Sequence, residues 1–407
     1  KFVSAGSYLD SYALHPKGYA VAITTRGKAF TMGNWDGPVL QHGEPDGVRY
    51  RHLEWLNDGK RLVAIHDATG LESLIVFNPD EASEPKTFKA IEFGRATNLI
   101  VSPTDDAIAI SNHRNELLVI DLVEVSSRII DKSDFGRIGG IDWSPDGRWL
   151  AYSFRATEQK TAIKLCNVES GETYFATEPT LHDVAPAFDP EGKYLYFLGY
   201  RIFNPVYDQL HFDLSFPRGV KPYAITLQRD LRSPFIAEPK IPEEKDQESS
   251  SETEEEDKKE KSKKPTPIVI DLEGITNRAL PFPVSEGKYR SIRGIKGKAL
   301  FLSFPIEGTM SQPGEKHEAR GHIESYDFEA HKTEYLIDGV SGFDLSRDSK
   351  TLIYRSRQRL RVLKAGDKAP KGDNGDRTNR ETGWLDLGRV KVSVQPAAEW
   401  KQMFAEA

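Results

Sequence analysis

One stretch constrains the fold more than any other, because the chain repeats it. Gly140–Ser153, "GIDWSPDGRWLAYS", sets Ile141 and Trp143 in alternation, then Ser-Pro-Asp-Gly, then Trp149, Ala151 and Ser153 at a spacing of two. A period of two on either side of turn-forming residues specifies two antiparallel strands and a tight turn. Looser copies stand at Tyr12–Thr24, Leu53–Ile65, Leu99–Ser111, Pro186–Leu198 and Phe343–Arg355, with a degraded one at Arg293–Phe304. The large apolar residue before each turn marks the repeat: Leu14, Trp55, Val101, Trp143, Phe188, Ile295 and Leu345. Successive markers lie 41, 46, 42, 45, 107 and 50 residues apart. A period of roughly 40 to 50 residues built of short strands specifies an all-β fold, a β-propeller with about four antiparallel strands per blade. The copies predict seven blades.

The long interval has its own cause. Lys240–Pro267 holds ten acidic residues and seven lysines, and Ile241 is its one large aliphatic side chain. Such a segment cannot bury enough apolar surface to offset the entropy of ordering it, so a disordered charged insertion in blade five is expected. Its flanks, "KPYAITLQ" and "PIVIDLEG", read as strand-like. An eighth blade there lacks a second turn copy, and seven is the preferred count.

Composition narrows the function. A net charge of -7 argues against a nucleic-acid binder. No run of apolar residues is long enough to cross a membrane as a helix. Cys166 is the single cysteine, so no internal disulfide can form and a cytoplasmic setting is expected. The start at Lys1, without a methionine or an apolar leader, reads as a fragment.

A search for chemistry yields neither catalytic residues nor a metal or cofactor site. Gly339–Gly342, "GVSG", lacks the spacing of a nucleophile elbow. The histidines of "HEARGH", His317 and His322, are five apart rather than the four that would place both on one helix face for zinc. "GRIGGIDW", Gly136–Trp143, leads into a strand, whereas a phosphate cradle leads into a helix. Asp142, Asp146 and Asp189 read as turn residues that cap backbone amides, and nothing selects a catalytic pair among them.

The turns of the "WSPDGRWLAYS" type resemble the propellers of prolyl oligopeptidases, TolB-like proteins and tricorn-type proteases. The end of the chain narrows the choice. "WLDLGRVKVSVQPAAEWKQMFAEA", Trp384–Ala407, has a last strand, Pro396, then Glu399, Trp400, Met403 and Phe404 at helical spacing. This resembles the join in tricorn-type serine proteases between a seven-bladed propeller and the catalytic half. The charged insertion followed by "IVIDLEGITNRALPFPV", Ile268–Val284, is likewise similar to bacterial tricorn homologues. The resemblance implies that residues 1–396 form the propeller and 397–407 start a helix of the next domain. It implies a non-catalytic part of a serine peptidase, which filters or guides peptide substrates through its axial channel. The catalytic and PDZ-like domains of the same polypeptide would be its partners, and the family implies homo-oligomers. A TolB-like scaffold for protein partners is the alternative.

In a propeller the first strand of each blade runs beside the axis. Aligning the copies at Gly140 gives Ser11, His52, Asn98, Gly140, Ala185, Ile292 and Gly342, mostly small or polar, as crowding at an axis requires. His52 and Asn98, with Arg51 and Arg293 beside them, are the candidates for contacting a peptide backbone or its terminal carboxylate, which suits the bidentate fork of arginine. Limited proteolysis is expected to cut first within Lys240–Pro267, because nicking concentrates in exposed, unpacked segments. Mapping the first cleavage sites by mass spectrometry checks this, and first cuts elsewhere would mean that the segment is docked.

Overall fold

Each sequence copy forms an antiparallel hairpin in the computed structural model, which describes residues 1–78, 83–208, 213–215, 218–237, 266–306, 319–370 and 377–406. The first strands are Leu9–Leu14, Tyr50–Trp55, Ala96–Val101, Gly139–Trp143, His182–Phe188, Lys288–Ile295 and Gly342–Leu345, each paired with the strand that follows its turn. Among the described residues the hairpins extend into four-stranded units except the last, which has three strands, and a parallel bridge, Thr161 to His182, joins the fourth unit to the fifth. All but the last two residues of the expected insertion, and His317 of the "HEARGH" motif, lie outside the described residues.

The turn chemistry follows the side chains. In the fourth unit the Gly147 N–H donates to the Ser144 carbonyl at 2.8 Å, and Ser144 Oγ accepts from the Trp149 N–H at 2.9 Å while donating to Asp146 at 2.6 Å. Gly147 sits at φ 72°, which glycine adopts without the steric cost of a Cβ. The last unit repeats the device with Ser346 and Asp348.

Two expectations are corrected. "PIVIDLEG" forms no strand: the Ile268 N–H donates to Asp146 at 2.7 Å, and Ile268, Ile270 and Leu272 pack against the interface of the fourth and fifth units. The fifth unit takes its third strand from Lys221–Thr226 and its fourth from Ala279–Pro281, across the charged segment. Asp142 is not a turn residue. It lies within Gly139–Trp143, and its carboxylate accepts from the Phe188 N–H of the next unit at 2.7 Å.

The units pack face to face in chain order. Among the described residues six apolar clusters join first to second, second to third, and so on to sixth and seventh, and a further cluster sets the first unit against the last. Second strands are therefore buried on both faces. Val21 and Ile23 pack toward the seventh unit, while Ala22 faces the second, whose Tyr50 and Phe77 fill the space a small residue leaves. Phe2–Ser4 pairs with Lys391–Ser393, bringing the two ends of the chain together. Beyond this clasp runs a helix, Pro396–Glu406, in which Glu399 pairs with Arg26. Its Trp400, Met403 and Phe404 are 70%, 66% and 87% exposed.

Trp143 is buried in the cluster between the third and fourth units. Replacing it with alanine is expected to cost about 3–5 kcal/mol, the range for an aromatic residue lost from a core. Denaturant unfolding measures this, and a loss below about 1 kcal/mol would place Trp143 outside the core.

Candidate functional site

The ends of the first strands converge on one cavity of about 300 Å³. Every unit contributes to its wall. The marker residues Leu14, Trp55, Val101, Trp143, Phe188 and Leu345 line it, together with the residue just before six of the seven markers: Ala13, Glu54, Ile100, Asp142, Gly294 and Asp344. Pro16, Pro103, Pro145 and Pro190, from the turns, also line it, with Arg347 and Ser349. Because all seven units supply the lining, the cavity lies where their inner edges meet.

The cavity mixes apolar walls with charges of both signs. Burial pushes the Glu54 carboxyl up to about 8, with Asp344 adding to the rise and Arg347 opposing it. Burial likewise raises Asp142 to about 6, against the pull of Arg293 and of the Phe188 N–H. Arg293 approaches Asp344 at 3.7 Å and donates to its own neighbour's carbonyl, that of Ile292, at 3.0 Å. Arg347 is shifted down, chiefly by burial, and Tyr12, which donates to the Gly342 carbonyl at 3.2 Å, is shifted up by burial and by Asp344. At Glu54, Asp142, Arg347 and Tyr12 the first cause is the same, burial that disfavours the charged form.

The structure brings only one of the four sequence candidates to this cavity, Arg293. Arg51 pairs with Glu72 and donates to the Ala96 carbonyl at 3.2 Å, while Glu72 accepts from the Ala96 N–H at 2.8 Å, so this pair ties the second unit to the third. His52 has φ 51° at a bulge in its strand, and burial together with Arg51 depresses its imidazole to about 4. Asn98 accepts from the Leu99 N–H at 2.9 Å, beside the corresponding bulge of the third unit.

Position in the strand explains the difference. The first strands of the first six units each carry a register shift. The aligned residues His52, Gly140 and Ala185 take up the kink with positive φ. At Gly140 a Cβ would also come within 3.1 Å of Ala185 Cα, so the crowding read from the sequence is real there and lies between neighbouring strands. Sequence reasoning missed Glu54, Asp344 and Arg347, and set Asp142 aside as a turn cap. The available signal was acidity one place before the marker, at Glu54, Asp142 and Asp344. Elsewhere, His322 lies in the strand Gly321–Asp327 and packs on Tyr335 at 5.2 Å, and no cluster of metal-binding side chains occurs among the described residues.

Comparison with known proteins places this geometry in a family. Residues 9–366 match the family described as the tricorn protease second beta propeller domain. The tricorn protease homolog of Saccharolobus solfataricus is 35% identical over 407 residues, covering 100% of this chain and 34% of that protein. Tricorn protease homolog 1 of Streptomyces coelicolor is 33% identical over 415 residues, covering 99% and 38%. The crystal structure of the tricorn protease superposes with a TM-score of 0.79 at 21% identity, over 100% of this chain and 37% of that one, which establishes the shared fold. The chain thus spans about a third of the length of these relatives. It belongs to the family of the tricorn protease second β-propeller domain.

Proposed function

We propose that this chain is a substrate-guiding propeller of a tricorn-like serine peptidase, whose axial channel admits extended peptides and directs them to a proteolytic site in the same polypeptide. The observation that carries the reading is the cavity walled by all seven units. On this reading the units are seven blades of one ring over residues 1–396. A passage of that kind accepts an unfolded chain and excludes a folded domain, so substrate class is set without chemistry. The helix supports the same reading: Trp400, Met403 and Phe404 present apolar surface that a free-standing scaffold does not need. Residues 397–407 then begin the next domain, with the catalytic and PDZ-like domains as intramolecular partners. A cytoplasmic, homo-oligomeric protease is the whole-protein form of this proposal, and no helix among the described residues is long and apolar enough to cross a membrane.

The chain alone is expected to hydrolyse neither peptides nor esters; turnover that survives repurification would end the non-catalytic assignment. In the whole protease, Arg293→Ala is expected to lower kcat/KM for long peptides about fivefold, the effect of losing roughly 1 kcal/mol from a partly exposed charge contact, and to spare short chromogenic substrates. Equal losses on both substrates would point to misfolding, and no loss on either would remove Arg293 from the path.

A further inference from the structure

Three of the side chains that line the cavity carry a hydrogen-bond donor with no acceptor among the described residues. Arg347 Nη1 and the indole Nε1 atoms of Trp55 and Trp143 are buried and unpartnered among the described residues, and all three side chains line the cavity. Leaving a buried donor unmet costs about 1–3 kcal/mol, so such groups are rare and each calls for an explanation. We propose that the axial cavity is a receptor for a carboxylate carried by an extended peptide, with Arg347 as the principal donor and Trp55 and Trp143 beside it. This rests on the channel reading and specifies what the channel recognises.

The acceptors in the cavity are already engaged or neutral, which is what leaves room for one from a ligand. Asp142 accepts from the Phe188 N–H, and Asp344 lies 3.7 Å from Arg293. Glu54 faces Arg347 without forming an ion pair with it among the described residues, and with its carboxyl raised to about 8 it is protonated at neutral pH and can itself donate. The planar guanidinium fork matches a carboxylate in geometry as well as in charge. A singly charged ligand suits the site better than a phosphate dianion, which would face Asp142 and Asp344 with twice the repulsion. The carboxylate is that of a chain terminus or of an aspartate or glutamate side chain.

The charged groups around Glu54 are Asp142 of the fourth unit, Arg293 of the sixth, and Asp344 and Arg347 of the seventh. The first, third and fifth units present apolar residues and prolines there. Raising the pH through about 8 ionises Glu54, which then opposes an incoming anion and offsets Arg347. Carboxylate binding should therefore weaken in that interval.

The test titrates the 407-residue chain with an N-acetylated Ala/Gly/Val peptide as free acid, as C-terminal amide, and as an amide carrying one internal Glu, read by tryptophan fluorescence and calorimetry. The free acid is expected to bind about tenfold tighter than the plain amide at about pH 7, the preference shrinking by about pH 9. Arg347→Gln should abolish the preference with the melting temperature held, and Arg347→Lys should restore part of it. Glu54→Gln should retain the preference at the higher pH. If the internal Glu restores binding to the amide, a side-chain carboxylate suffices as the ligand. Equal binding of acid and plain amide, or the same pH trend in Glu54→Gln, overturns the carboxylate receptor and leaves the channel reading standing. Failure of every peptide to bind overturns both.

Discussion

The sheet of each of the seven units packs against a neighbouring unit on both faces, and the rest of the structure depends on that mutual cover. A sheet with one wet face can alternate apolar with polar residues; a sheet between two others must be apolar on both sides. The second strands meet the demand by alternating size instead of polarity. Val63 and Ile65 pack toward the third unit, while Ala64 faces the first. Val21, Ala22 and Ile23 do the same one unit earlier. A large-to-small change in any of these strands is felt at a shared interface, so neighbouring units are energetically coupled around the whole order of packing.

The same arrangement creates the cavity. Units that pack at an angle approach one another most closely at their inner edges, where the first strands carry their bulges. In six of the seven units the residue one place before the apolar marker borders the cavity. Ala13 and Ile100 keep that place apolar, while Glu54, Asp142 and Asp344 make it acidic. Burial there raises the affinity of Glu54 and Asp142 for protons, and the arginines from the sixth and seventh units limit the rise. The electrostatics of the site is a product of convergence: no single unit contains it.

The hairpins were legible in the sequence because turn chemistry is local. Ser144, Asp146 and Gly147 satisfy one another's hydrogen bonds within a few residues, and nothing distant is needed to read them. "PIVIDLEG" misled because alternating Ile and Val side chains pack equally well from a strand or from an extended segment, and the difference lies in where the Ile268 N–H goes. The positive φ of His52 and Ala185 is invisible in residue type, since neither is glycine. Arg51 offered a plausible contact to a substrate, yet its partner Glu72 stands in the turn after the next strand and could be found only by folding the chain. Asp142 looked like any other turn aspartate until the register placed it within a strand. Arg347, embedded in a charged turn, carried the pattern of a solvated side chain and gave no sign that the turn borders a cavity.

The pairing of Phe2–Ser4 with Lys391–Ser393 has a mechanical side. Three residue pairs hold the seam, reinforced by the Lys1 amino group on the Val394 carbonyl and by Arg26 on Glu399 of the helix that follows. A tensile load applied through that helix therefore reaches the seam before it reaches any central strand. Antiparallel ladders loaded at one end yield bond by bond, like a zip, whereas the interior sheets resist by sliding many bonds at once. The seam is thus where a pull on the helix is first felt, while the apolar cluster between the first and last units backs it from behind.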